Sequence, residues 1–219
     1  EAPRAGEKQG GAVGEEDAAA AAPEASPWQV EDLAVHLEGS LVDYRTRMSL
    51  SAQGPGLPPT DLLVSGSGDL AHFRWSPLTV NQQGGVLVSR GQAAWHDGLD
   101  VNATLSLDNL DPGHFVEGLD GRLGGGAELA FTQDDAGWRL EVPGLDLQGV
   151  LDGRPLSLEA TLAGDSAMHW DITTLDFRQG TNRVSAAGRV SREALDLSGD
   201  LEMPALESLY PGLGGTLAG

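Results

Sequence analysis

Period-two alternation, repeated in short runs down most of the chain, limits what this sequence can fold into. Between Leu99 and Phe131, residues Val101, Ala103, Leu105 and Leu107 share one parity, and Asn102, Thr104, Ser106 and Asp108 share the other. That is the pattern of a strand with one dry face. The alternation breaks at Asp111-Pro112-Gly113, recovers through Phe115 and Val116, passes a Gly-Leu piece from Gly118 to Gly125, and resumes at Leu129 and Phe131. A near copy of the Gly-Leu piece, Gly212 to Gly219, closes the chain. Each copy follows a Leu-rich segment containing Pro-Gly, Leu110 to Gly113 in one and Leu206 to Gly212 in the other.

The same texture begins near Trp28. Leu33, Val35 and Leu37 share a face, a turn is expected at Glu38-Gly39, and Val42, Tyr44, Thr46, Met48, Leu50 and Ala52 then oppose Asp43, Arg45, Arg47, Ser49 and Ser51. About 11 residues of such strand span roughly 35 Å. Gly54 to Pro59 reads as its stop. Further runs are expected at Leu62–Ser65, Leu70–Trp75, Leu78–Asn81, Val86–Ser89 and Gln92–His96. Later ones follow at Trp138–Val142, Leu145–Leu151, Leu156–Leu162, Met168–Phe177, Asn182–Val190 and Leu195–Leu201. No apolar period of 3.6 persists, and only Pro204 to Tyr210 resembles a short helix. Glu1 to Pro27 is Ala, Glu, Gly and Pro without an aromatic residue, so residues 1–27 are expected to be a disordered arm and 28–219 one β segment.

The open question is how so many strands bury one face. Sandwiches and barrels close two faces on each other or one sheet on itself. An aromatic content of 5% and long Leu, Val and Ala strands fit a single sheet curled into an elongated trough better, with repeated units covering only their neighbours. The fold expected is therefore all-β, a curled single sheet with an apolar inner face. Formal charge is −20 and Lys8 is the sole lysine, which argues against nucleic acid and anionic membrane surfaces as electrostatic partners. Cys is absent, Gly numbers 31, and no window approaches the ~18 apolar residues of a spanning helix. The chain starts at Glu1 without an initiator Met, and is expected to be a mature product or a piece of a longer protein.

Chemistry-bearing motifs are sparse. His36, His72, His96, His114 and His169 are scattered, and no thiol is available, so no metal site is expected. Gly164-Asp165-Ser166 has the residues of a hydrolase motif and equally of a plain turn. The Asp-Gly pairs at 97, 120 and 152 read as hairpin turns. Gly124 to Gly126 lacks the strand-to-helix setting and lysine of a phosphate loop. The acids sit mostly on the polar parity, as on a solvated face, leaving the dry parity almost without acid–base groups. Trp28, Trp75, Trp95, Trp138 and Trp170 read as anchors of the dry face. No cofactor and no catalysis are expected.

The segment Asn109 to Gly124, Leu-rich with Pro-Gly and then Gly-Leu-x-Gly-x-Leu-x-Gly, resembles the repeat of the TamB family, the AsmA-like translocation and assembly module components. Leu206 to Gly219 is similar, and strand texture extends the likeness over about residues 28 to 219. The resemblance implies a taco-like β trough bridging inner and outer membranes in the periplasm of a diderm bacterium. It also implies phospholipid transport and an Omp85-type outer-membrane barrel partner, with membrane attachment through parts of the protein outside this segment. On that reading the acyl chains lie against Val42, Tyr44, Met48 and Leu50, then Val101, Leu105, Leu107, Leu129 and Phe131. The wall continues through Trp138, Leu140, Val142, Leu156, Leu158 and Leu162 to Trp170, Ile172, Val184 and Val190. A surface β-solenoid adhesin with a closed core is the alternative. A carbohydrate-active enzyme, with paired carboxylates in a cleft, and a sandwich binding domain stand behind it.

Overall fold

A computed structural model describes residues 28–114, 119–205 and 215–219. The chain runs as β1 (Gln29–Ser40), β2 (Asp43–Gly54), β3 (Leu57–Gly68), β4 (His72–Gln82), β5 (Gly85–Ala94), β6 (Leu99–Leu110) and β7 (Gly121–Asp134). It continues as β8 (Gly137–Leu151), β9 (Arg154–Asp165), β10 (Trp170–Gln179), β11 (Asn182–Val190), β12 (Leu195–Met203) and the two-residue β13 (Leu217–Ala218). Spatial order equals sequence order in one 13-stranded sheet. Each pairing is antiparallel, and β1 does not meet β13, so the sheet is open. The protein is all-β: a 3-10 turn at Pro112–His114 is its helical element among the described residues. A parallel coil of the solenoid kind does not occur in them. The expected arm at 1–27 lies outside the described residues, as do most of the expected helix at Pro204–Tyr210, the Phe115–Val116 stretch and the first three residues of the second Gly-Leu copy, whose end supplies β13.

Several runs that sequence periodicity separates are single strands. Leu70–Trp75 and Leu78–Asn81 merge into β4, Val86–Ser89 and Gln92–His96 into β5, and Trp138–Val142 and Leu145–Leu151 into β8. In two of the three the cause is a bulge. Pairing shifts register between Trp75 and Leu78, between Val142 and Leu145, and likewise between Ile172 and Leu175 in β10. An extra residue reverses parity, so Phe73 and Trp75 stay on the face of Leu78 and Val80 although odd numbering gives way to even. Pro77 and Pro143 occupy bulge positions, where a missing N–H costs no ladder bond. β2 ends in the Gly54–Pro59 segment as expected, at Gly54 before the Pro55–Gly56 turn, while Pro58 and Pro59 already belong to β3, beyond the end of β4, whose pairing starts at Thr60–Gln82.

The first hairpin also differs from expectation. Its turn is Leu41–Val42, closed by the Ser40–Asp43 pair, while Glu38 and Gly39 belong to β1 and pair with Arg45 and Tyr44. Leu and Val carry no turn chemistry, so the sequence signal pointed to Glu-Gly instead.

Two turns on one edge of the sheet share a cap. Asp69 Oδ1 accepts the backbone N–H groups of Ala71 (2.7 Å) and His72 (2.9 Å), and its carboxylate meets His72 Nδ1 at 3.1 Å. Asp165 repeats this with the N–H groups of Ala167 (2.9 Å) and His169 (3.1 Å) and with His169 Nδ1 at 3.2 Å. The opposite edge is finished by amides. Gln179 and Asn182 are fully buried. Asn182 Nδ2 donates to the Ala205 carbonyl at 2.9 Å, and Ala205 N–H donates to Asn182 Oδ1 at 3.1 Å. Gln82 Nε2 donates to Thr60 Oγ1 at 2.9 Å.

Asn182→Ala strips both bonds from the Ala205 backbone in a buried setting. A loss of about 1–3 kcal/mol is expected in urea unfolding of the purified segment, whereas Asn102→Ala on the solvated face stays near zero. Backbone N–H donors hold both turn aspartates below the usual carboxylate range, chiefly Ala71 for Asp69 and His169 for Asp165. Because the folded values are lowered, this stabilisation is complete above the ordinary value of 3.8 and disappears as pH falls through the folded ones. Carboxyl-detected NMR titration is expected to place both midpoints below 3.8.

Candidate functional site

The register carries one parity across the whole sheet, so one face is apolar from β2 to β12. Starting at Leu50, the directly paired residues are Leu62, Val80, Leu87, Leu107, Gly125, Leu147, Leu158, Phe177, Val184 and Leu201. Glycine at 125 is its one break: φ there is +142°, and a side chain would strike the Asp146 carbonyl. A second row runs Met48, Val64, Leu78, Ser89, Leu105, Ala127, Leu145, Ala160, Leu175 and Ala186. A third begins at Tyr44 and passes Gly68, Phe73, Ala93, Val101, Phe131, Leu140, Gly164, Trp170 and Val190 to Leu195. With strands about 4.8 Å apart, each row is roughly 50 Å long.

No second layer covers these rows among the described residues. Among the described apolar residues only Val64, Leu151 and Ala160 fall to 9% exposure or less; most others in these rows are half-buried among neighbours on the same face, and Leu195 at the end of the third row is 72% exposed. Aromatic rings lie over glycines of adjacent strands, Phe73 over Gly66, Trp75 over Gly91 and Trp170 over Gly164. Small residues beneath large rings keep this part of the face level. Tyr44 stacks on Phe73 at 6.4 Å and Phe73 on Trp75 at 6.3 Å, while Trp138 meets Trp170 at 6.2 Å. The one polar side chain in the second row, Ser89, accepts the Trp75 indole N–H at 3.0 Å.

The other face is charged. One of its rows reads Arg45, Ser67, Arg74, Gln92, Asn102, Ala130, Glu141, Ala163, Asp171, Arg189 and Asp196. Exposed pairs there include Arg189–Asp171 at 3.2 Å, Arg139–Glu141 at 3.0 Å and Arg178–Asp176 at 2.9 Å. The Asp176 carboxylate raises the Arg178 guanidinium, and the His36 hydrogen bond lowers Glu38. Shallow recesses of about 470 and 600 Å³ mark this side, the larger lined by Glu128, Asp146, Glu159, Thr161 and Thr174. They are open to solvent, and no three His, Asp or Glu side chains among the described residues are placed to hold a metal ion. Asp146, Glu159 and Asp176 face one another across strands, but outside any enclosed cleft.

Nearly all residues picked out by parity share the apolar face. Tyr44, Met48 and Leu50 stand in β2; Val101, Leu105 and Leu107 in β6; Phe131, Trp138 and Leu140 in β7 and β8. Leu156, Leu158, Leu162, Trp170, Ile172, Val184 and Val190 continue across β9 to β11. Leu129 and Val142 sit on it beside bulges, paired with Ala103 and Leu162. Val42 does not: it lies in the β1–β2 turn, 69% exposed. Parity alone missed Leu62, Val80, Leu87, Leu147, Phe177 and Leu201, which complete the first row: bulges hide the continuity of β4, β8 and β10, and the others join the row only through pairing with their neighbours.

Comparison with known sequences gives a consistent result. The family profile described as TamB, N-terminal domain, matches residues 16–219. The translocation and assembly module subunit TamB of Haemophilus influenzae is 24% identical over 195 residues, 89% of this chain and 15% of that relative. This chain thus spans a small part of the relative's length. No solved structure matches. An open antiparallel sheet with one apolar face, together with a family match running from residue 16 to the last residue, means that the chain belongs to the TamB family.

Proposed function

We propose that this segment is part of an intermembrane lipid conduit within a TamB-type translocation and assembly component. Phospholipid acyl chains lie against the apolar face, and lipid passes along it between inner and outer membranes without covalent chemistry. The observation that supports this reading is the set of apolar rows running from β2 across the sheet, over which no second layer lies among the described residues. Each methylene leaving water contributes about 0.8 kcal/mol. That attraction is spread evenly, since the rows contain only Ser89 and small residues as interruptions, and Ser89 is already bonded to Trp75. A chain held by even, non-directional attraction slides with little change in free energy. A polar anchor in the path would trap it.

The location that follows is the periplasm of a diderm envelope, with attachment to the inner membrane and contact with an Omp85-type outer-membrane barrel made by parts of the protein outside this segment. A contribution to outer-membrane protein assembly accompanies that partnership. The charged face, with its exposed self-compensating ion pairs, keeps the structure soluble along its length.

Leu105→Arg or Leu158→Arg places a charge in a row and is expected to reduce lipid transport at least about tenfold in cells carrying the full-length protein, matching the cost of a buried unpaired charge. Ser106→Arg and Glu159→Arg, on the opposite face, leave transport near the parent level. Photocrosslinkers at Leu105 and Leu158 are expected to capture phospholipid, and those at Ser106 and Glu159 to capture none. Normal transport by a folded Leu158→Arg protein would sink the proposal.

A further inference from the structure

The two long edges of the sheet, where strands turn, are chemically unlike. On one, the tips carry exposed apolar side chains: Leu41 (71%), Val42 (69%), Leu70 (64%), Trp95 (42%) and Met168 (43%), with Leu195 (72%) at the foot of β12. Hairpin tips ordinarily hold Gly, Asn, Asp or Ser. On the other edge the tight turns Pro55–Gly56, Gln83–Gly84, Asp152–Gly153 and Gly180–Thr181 follow that rule, and the apolar face ends there in the buried amides Gln82, Gln179 and Asn182. The first edge is open and greasy. The tight turns of the second are polar.

We infer that the apolar-tipped edge is where lipid head groups sit while acyl chains lie on the face, and that it favours heads bearing an ammonium over heads of net negative charge. This rests on the conduit reading. Tyr44, Phe73, Trp138 and Trp170 lie just inside this edge; aromatic side chains suit a boundary with one apolar and one wet side. Successive tips recur about every 10 Å, so head groups find the same surroundings along the path. Charge selects among them. Asp69, Asp97, Asp135, Asp165 and Glu193 stand in or beside these turns and outnumber the guanidinium groups there, Arg192 in one turn and Arg139 and Arg189 beside two. An ammonium is attracted to that field, and a head group carrying only its phosphate charge is repelled.

The test uses the purified full-length protein and two labelled phospholipids of identical acyl chains, phosphatidylethanolamine and phosphatidylglycerol, offered in neutral vesicles. Uptake is expected to favour phosphatidylethanolamine on the order of threefold to tenfold at low salt, as a few exposed charges provide. The ratio falls toward one at high salt and in a combined Asp97→Asn, Asp135→Asn, Glu193→Gln protein. Equal uptake at low salt, or preference for phosphatidylglycerol, overturns this inference and leaves the conduit standing. Failure to take up either lipid overturns the conduit and this inference with it. Crosslinkers at Leu70 and Met168 are expected to capture lipid; capture of polypeptide alone assigns the edge to a protein partner and overturns the inference.

Discussion

Everything in this fold depends on the register of the antiparallel ladder. Side chains alternate with a period of two, so a slip of one residue in any pairing would turn the following strands over and send leucines to the charged side. The rows starting at Tyr44, Met48 and Leu50 cross every pairing from β2 to β12 without such a flip. Bulges are therefore a consequence of the sequence. Wherever the apolar parity changes within one strand, as between Trp75 and Leu78 or Val142 and Leu145, an extra residue is inserted and the face is kept.

A single sheet without a covering layer has to find its packing within one surface. The rings of Phe73, Trp75 and Trp170 lie across the bare backbone of neighbouring glycines, which shields the ladder and buries ring area that would otherwise point into solvent. Amides seal one end of the strands, with Asn182 bonding both polar groups of Ala205. The face that remains open is the one with the most apolar surface. An exposed apolar surface of this extent is what the conduit proposed above requires.

Much of this was readable from residues alone, for a physical reason. Alternation at Val101 to Leu107 reports local geometry, and local geometry is what a strand is. The missing second layer was suggested by scarce aromatics and long aliphatic runs. What escaped were features set by pairing partners. Nothing local in Ser76-Pro77 or Pro143-Gly144 distinguishes a bulge from a break, so β4 and β8 read as two strands each. Leu41–Val42 offered no turn residue at all; the turn is imposed by pairing of Ser40 with Asp43. Leu62, Val80, Leu147 and Phe177 belong to the candidate site only through a register that no single strand encodes.

The same constraint bears on the free edge of β1. Among the described residues no strand pairs with the outer edge of β1, and β1 also exposes Val30, Val35 and Leu37, each about 60% open, which together form a template for unwanted strand addition. Two devices oppose it. A bulge between Glu31 and Ala34, with Asp32 at a φ of +51°, interrupts the regular repeat of pairing groups. Glu31, His36 and Glu38 line the polar side of the strand, and a chain of net charge −20 repels its own copies. The acidity that argues against nucleic acid thus has a structural use: its repulsion opposes self-association through a long apolar face and an exposed strand edge.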